Sequence, residues 1–261
     1  MKLSSNFWDK QASTKKQFDI ELVDKTRFVA DYFNEVCLRL LREFVGNFEK
    51  ATVLKTDLWN ESVSIEREVL GYFKSSCQVG TDISGVVCKC AYDRNRALFV
   101  SQSDVRNLPF KDGCFDVILD ISTIDHVCED DAIKVLAEYS RLLSVGGVLF
   151  LMYAQKYPFA RHYWNNAFAG VYLLDSKLIG DNVKKELVLV DDRGLDFIHG
   201  LFGVGPKRLF ERFLVWHCPN IIRKVIVVFV FYLERSIFSK LFKGYCGLRL
   251  NIAVKRGLAN V

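Results

Sequence analysis

Apolar and polar positions follow two different rhythms along this chain. Near the start, Phe28, Tyr32, Val36 and Leu40 recur at four-residue steps with Asp31, Glu35 and Arg39 between them, which predicts helix inside a helical segment over 1–48. From residue 50 the rhythm changes, and short apolar runs take turns with amphipathic stretches. Strands are expected at 51–56 (ATVLKT), 77–83, 97–104, 114–122 and 148–153. Helices are expected over 62–74 and 129–147, the second closing on Gly146 and Gly147 as a helix C-terminus prefers. This alternation predicts a parallel, doubly wound α/β sheet with right-handed crossovers.

After Tyr153 the alternation breaks. Residues 155–183 are rich in aromatics, and 186–190 and 195–202 read as two strands. Residues 203–213 read as a helix with Pro206 near its head, and 221–233 are strongly apolar. Leu248, Leu250, Ile252 and Val254 alternate with their neighbours, which predicts a final strand over 247–256. Four parts follow: an N-terminal helical segment (1–48), an α/β core (49–155), a variable cap (156–246), and a last core strand with a tail (247–261).

Composition narrows the class. Of 261 residues, 50% are hydrophobic and 26% charged, with 16 Gly and 4 Pro, so the chain is neither disordered nor low-complexity. A net charge of +5 argues against a dedicated nucleic-acid binder. The charge is unevenly placed, because residues 221–261 hold eight basic residues and one acidic, Glu234. Eight cysteines contain no C-x-x-C pair, and the closest spacing is Cys88-x-Cys90. Reduced thiols in a cytoplasmic protein and no metal site are the expectation. The first residues show no apolar core of a secretory signal, which fits the same compartment. The unbroken apolar run 225–233 is shorter than the ~20 residues needed to span a bilayer. With Arg223, Lys224, Arg235, Lys240 and Lys243 around it, it suits either the inner membrane surface or a helix packed on the sheet.

Open α/β sheets bind ligands at the carboxyl ends of their strands, so acids there are the informative residues. Asp82, Asp104 and Asp120 each end a predicted strand. A carboxylate at Asp82 can accept two ribose hydroxyls, with Ile83 beside it. One at Asp104, next to apolar Val105, suits an adenine. One at Asp120, with Ile121, would face a substrate or a cofactor's polar tail. A single such acid serves equally well as a helix cap or turn former, but three along one edge favour a ligand site.

These residues sit in a recognisable context. Residues 103–127 (SDVRNLPFKDGCFDVILDISTIDHV), together with VGTDIS (79–84) and RLLSVGGVLFL (141–151), resemble the signature of the class I S-adenosylmethionine-dependent methyltransferases. The resemblance implies a Rossmann-like methyltransferase fold, a seven-stranded sheet in the order 3-2-1-4-5-7-6 with the last strand antiparallel and a helical cap insertion. It also implies S-adenosylmethionine as cofactor. Asp82 would then bind the ribose, Asp104 the adenine amine, and Val105 the ring through its backbone N–H, while Asp120 and Ile121 would line the methionine end. One departure is plain. The family's first strand runs into a glycine-rich loop, but VLKTDLWNE (53–61) has no glycine, and Lys55 stands where an acid is usual. Asp57 or Glu61 would have to meet the cofactor's ammonium group, with Trp59 shaping the pocket.

His126 follows the fourth strand and is the candidate general base, since imidazole accepts a proton near neutral pH. His162, His199 and His217 are expected to be structural. Tyr157, Phe159, Tyr163, Trp164 and Phe168 form either an acceptor pocket or the cap's own core. Methyl transfer to a small-molecule, lipid-linked or glycan acceptor is therefore the leading expectation. A non-catalytic interaction module that has lost its cofactor and a peripheral membrane protein stand as the alternatives.

Overall fold

The computed structural model describes residues 4–13, 35–45, 50–63, 69–73, 77–157, 170–195, 219, 221–222, 225, 229, 232 and 237–257. The helix expected over 203–213, the histidines at 162, 199 and 217, Phe28, Tyr32, and the aromatics Phe159, Tyr163, Trp164 and Phe168 lie outside these residues.

Seven strands form one sheet: β1 (Thr52–Lys55), β2 (Cys77–Asp82), β3 (Phe99–Gln102), β4 (Phe115–Ile121), β5 (Leu143–Ala154), β6 (Leu187–Leu195) and β7 (Leu248–Lys255). Their order is β3-β2-β1-β4-β5-β7-β6, and only β7 runs antiparallel to its neighbours. The order reverses between β1 and β4, and open α/β sheets bind their ligands at the carboxyl ends of the strands at such a point.

Inner strands are buried on both faces, as parallel sheets require. Val53, Leu119 and Phe150 pack on one face against α2 (35–44) and α4 (Gly85–Arg94). Leu54, Ile118 and Leu149 pack on the other against α5 (Glu129–Leu142) and α6 (Ser176–Glu186). Local chemistry sets the helix starts. The Ser84 side chain accepts from Val87 N to begin α4, and Asp175 accepts from Lys177 N and Leu178 N to begin α6. A further helix, α1 (5–13), precedes these, and α3 (Trp59–Val63) follows β1.

Two expectations need correction. The helix expected over 129–147 ends at Leu142, and β5 starts at Leu143, five residues before the expected strand. Lys255 of β7 explains the stop: its Nζ donates to the carbonyls of Ser140 and Leu143, each at 2.7 Å, filling acceptors that the helix end leaves open. The two strands expected near 186–202 are, over the described part, one strand, β6, with an irregularity between Leu189 and Asp191.

Candidate active site

The loop after β1 is held by charge rather than by glycine. Lys55 is wholly buried, with its Nζ 2.8 Å from Asp57 Oδ2 and 3.1 Å from Glu61 Oε2. Burial works against its charge, but the two carboxylates outweigh it and raise its pKa. The same Nζ donates to the Asp57 carbonyl at 2.6 Å. Glu61 is turned inward, where Oε1 accepts from Val69 N at 3.2 Å. Leu58 is buried against β2, and a Cβ at Gly80 would lie 2.3 Å from Leu58 Cδ2. Glycine at position 80 therefore lets the loop close onto β2. Of the two acids expected to meet a ligand, only Asp57 keeps an exposed portion, 21% of its side chain against 3% for Glu61.

That closure orients Asp82. Its Oδ2 accepts from Leu58 N at 3.0 Å and its Oδ1 from Ser84 N at 2.8 Å. Burial pushes its carboxyl up to about 6, while the two backbone donors pull the other way. A carboxylate has about four acceptor positions, so one N–H on each oxygen leaves capacity for two more donors. Ile83 follows with its carbonyl tied to Gln102 Nε2 at 3.1 Å.

Asp104, just past the end of β3, is shared. Arg106 donates from Nε to Asp104 Oδ1 at 2.8 Å and from Nη2 to Oδ2, and this pairing holds the Asp104 carboxyl below its ordinary range. Nη1 of the same arginine reaches Asp131 Oδ2 at 2.7 Å on α5. Val105 is buried in the core on the α5 face.

Asp120 faces away from the open edge. It is fully buried on the α5 side of the sheet, where Thr123 N (2.8 Å), Ile124 N (3.1 Å) and the Tyr139 hydroxyl (2.7 Å) all donate to it. Burial pushes its carboxyl up to about 7. Its carboxylate is a bolt between β4, the following turn and α5. Ile121 packs on the opposite face of the sheet. Immediately after it Ser122 has φ 61°, a left-handed conformation unusual for a non-glycine residue, and it turns the chain sharply at the end of β4.

That turn delivers His126 to the carboxyl edge. Its Nδ1 lies 2.9 Å from the Gly170 carbonyl, an acceptor only, so Nδ1 is the donor of that bond. Asp125 beneath it is buried and accepts from Ala154 N at 2.8 Å, fixing the turn to β5. Thr56 Oγ1 is 3.0 Å from Thr123 Oγ1, joining the ends of β1 and β4.

Sequence patterns did not reveal the contribution of α1. Trp8 stands edge-on to His126 (ring centroids 4.6 Å apart) and to Trp59 (6.4 Å). Asp9 Oδ1 accepts from Ser84 Oγ at 2.5 Å and Val86 N at 3.2 Å, at the head of α4 beside Asp82. An aromatic-acid pair (WD) in a polar segment gives no periodic signal. Arg106 and Tyr139 also escaped notice. Acid-x-Arg at 104–106 was the available sign of the first, and a tyrosine on an otherwise apolar helix face was the sign of the second, because a buried hydroxyl needs a partner.

A nucleoside cofactor with an amino-acid tail needs spare acceptors for two ribose hydroxyls and an acid for its ammonium. Asp82 and Asp57 fit these needs. An adenine amine reaching Asp104 would share that carboxylate with Arg106.

Comparison with known proteins bears on the fold. Residues 39–151 match a family described as a methyltransferase domain. Over 84 residues the chain is 37% identical to "Probable tRNA methyltransferase 9B" of Mus musculus, a match covering 31% of this chain and 18% of that protein. The chain thus spans less than a fifth of that relative's length. Among solved structures it resembles geranyl diphosphate C-methyltransferase from Streptomyces coelicolor A3(2), in complex with Mg2+, geranyl diphosphate and S-adenosyl-L-homocysteine (TM-score 0.56, 15% identity, 84% of this chain and 78% of that one). It also resembles a chain of the complex between the Haloferax volcanii Trm112 methyltransferase activator and a methyltransferase (TM-score 0.60, 14% identity, 99% and 100%). The [4+2]-cyclase SpnF shares the fold as well (TM-score 0.58, 14% identity, 97% of each chain). At such identities the likeness is of fold, and the cyclase shows that this fold hosts more than one chemistry. With the sheet order, the match over 39–151 makes this chain similar in fold to the class I methyltransferases.

Proposed function

We propose that this chain transfers a methyl group from S-adenosylmethionine to a small-molecule, lipid-linked or glycan acceptor. The observation that carries the reading is Asp82: a largely buried carboxylate at the end of β2, oriented by Leu58 N and Ser84 N, with acceptor capacity left on each oxygen. In this reading Asp82 holds the ribose hydroxyls, with Ile83 alongside. Asp104 and the Val105 backbone N–H meet the adenine, and Asp57 meets the ammonium group. Asp120, Ile121 and Glu61 serve from behind, holding the strand ends and the β1 loop in shape. The cofactor supplies an electrophilic methyl on a sulfonium and leaves as a neutral thioether.

The protein's own work is to position the acceptor in line and to exclude water. Trp8 and Trp59 close the edge around His126. With its Nδ1 proton held by the Gly170 carbonyl, His126 offers Nε2 to take the proton that the acceptor's nucleophilic atom sheds. Asp125 fixes the turn that carries the ring, so it is a positioning residue.

One observation favours a second reading. Lys55, Asp57 and Glu61 satisfy one another inside the loop that elsewhere in the family carries glycines, as they would in a module that no longer binds cofactor. Calorimetric titration with S-adenosylmethionine and S-adenosylhomocysteine separates the two. Micromolar binding that Asp82→Ala weakens at least tenfold supports the proposal. No heat from folded protein at millimolar ligand overturns it in favour of the non-catalytic module.

A further inference from the structure

Helix α1 covers only residues 5–13, and isolated helices shorter than about 12–15 residues are marginal in water. Contacts with the rest of the chain therefore hold it in place. The described ones lie past the carboxyl ends of three neighbouring strands. On the β4 side, Trp8 stands against His126 with ring centroids 4.6 Å apart. Past β1, the same indole meets Trp59 of α3 at 6.4 Å. On the β2 side, Asp9 Oδ1 accepts from Ser84 Oγ at 2.5 Å and from Val86 N at 3.2 Å, at the head of α4. Consecutive helix residues point about 100° apart, so Trp8 and Asp9 reach to two sides at once. β2, β1 and β4 are adjacent in the sheet, and its order reverses between β1 and β4. α1 thus crosses the place where open α/β sheets take their ligands.

The manner of attachment suits release. α1 adds no strand to the sheet, and side chains fasten it: the Asp9 carboxylate, the Trp8 ring contacts, and Ala12, which packs on the core of the α2 face. Segments held by few buried apolar contacts open at lower cost than the whole fold. While α1 is seated, Trp8 and the imidazole are in contact, so no acceptor fits between them. The same seat governs Asp82. Ser84 gives its backbone N–H to Asp82 and its hydroxyl proton to Asp9, so the latch and the carboxylate share one residue.

We infer that α1 is a lid over the strand ends: it detaches as a unit from α4 and His126, admits a ligand, and closes again, with Asp9 as the latch. The identity of the ligand, S-adenosylmethionine or its product, rests on the cofactor reading above. The opening of α1 does not.

Two measurements on the full chain test it. Native-state hydrogen exchange follows the opening without any ligand. The amides of α1 and of Val86 should exchange at least roughly tenfold faster than those of β4 and β5, because they open without the sheet. Asp9→Ala should speed α1 by about a further tenfold and leave β4 and β5 unchanged, since it removes two bonds to a carboxylate. Stopped-flow binding of S-adenosylhomocysteine, followed by tryptophan fluorescence, reports the consequence. Entry and exit both wait on opening, so Asp9→Ala should raise the association and dissociation rates together, each about tenfold, with Kd within about threefold of wild type. Asp9→Asn keeps an oxygen that accepts both bonds, and should stay nearer wild type in both rates. A residue that served only the stability of the fold would leave association unchanged. Exchange of α1 as slow as that of β4 and β5 overturns the lid whether or not S-adenosylhomocysteine binds. Unchanged rates in Asp9→Ala, or a rise in dissociation alone, also overturn it. Fast exchange of α1 in a wild type that binds no S-adenosylhomocysteine supports the lid and refutes the cofactor reading.

Discussion

Asp82 ends β2 and Asp120 lies one residue from the end of β4, the two strands that flank β1, yet they do opposite work. The register places Lys55 beside both Gly80 and Leu119, so Asp82 and Asp120 stand within a residue or so of the same level. Asp82 accepts two backbone N–H groups and remains partly open. Asp120 accepts two backbone N–H groups and a tyrosine hydroxyl and is sealed. Strand parity makes the difference. Side chains alternate between the faces of a strand, and Asp120 falls on the face covered by α5. An acid at a strand end is thus a ligand candidate only when its carboxylate remains accessible at the sheet edge.

The largest test of this contrast is Asp120→Ala. It strands Thr123 N, Ile124 N and the Tyr139 hydroxyl in the interior and should destabilise the fold by roughly 2–4 kcal/mol in urea unfolding, with cofactor affinity in the remaining folded protein close to wild type. Asp82→Ala should do the reverse, costing roughly 1.5–3 kcal/mol of cofactor affinity by calorimetry and under about 1 kcal/mol of stability. If the two variants behave alike, the distinction between bolt and ligand site fails.

A third test uses pH. Both carboxyls are raised in the folded state, to about 6 and about 7, so folding favours their protonated forms. Between an unfolded value near 4 and those values the native state holds the extra protons, and stability falls as pH rises through that window. Asp120→Asn should flatten the decline, at most by about 1.4 kcal/mol per pH unit, most visibly between pH 4 and 7. A slope in the variant equal to that of wild type would remove Asp120 from the account. The smallest effect is expected from the loop acids. Asp57→Asn should weaken cofactor binding a few-fold, whereas Glu61→Gln should show itself in melting temperature more than in affinity, because Glu61 faces Lys55 and the turn at Val69.

Most of the fold was legible because it rests on periodicity. Apolar runs in β1, β4 and β5 bury both faces and leave no ambiguity of type. Boundaries set by distant partners were not legible. The stop of α5 depends on Lys255, more than a hundred residues away. At the site, the motif located Asp82 and His126, but it could not give the direction of Asp120, which depends on parity counted from an exact strand start. Nor could it show that Arg106 occupies Asp104, or that α1 lies over the edge through Trp8 and Asp9, since contacts between remote segments leave no local pattern.

The charge cluster in the β1 loop restricts how this sequence can change over time. Lys55 is sealed and answers to Asp57 and Glu61 together. Replacing Lys55 leaves two close carboxylates without a cation, a change that typically costs several kcal/mol, whereas replacing either acid leaves Lys55 its other partner, and the members of such a set do not act additively. Asp57 and Glu61 can therefore change one at a time, but Lys55 cannot leave while both acids remain. The order in which this loop can change is thus set by its one cation, whether or not the ligand it faces stays the same.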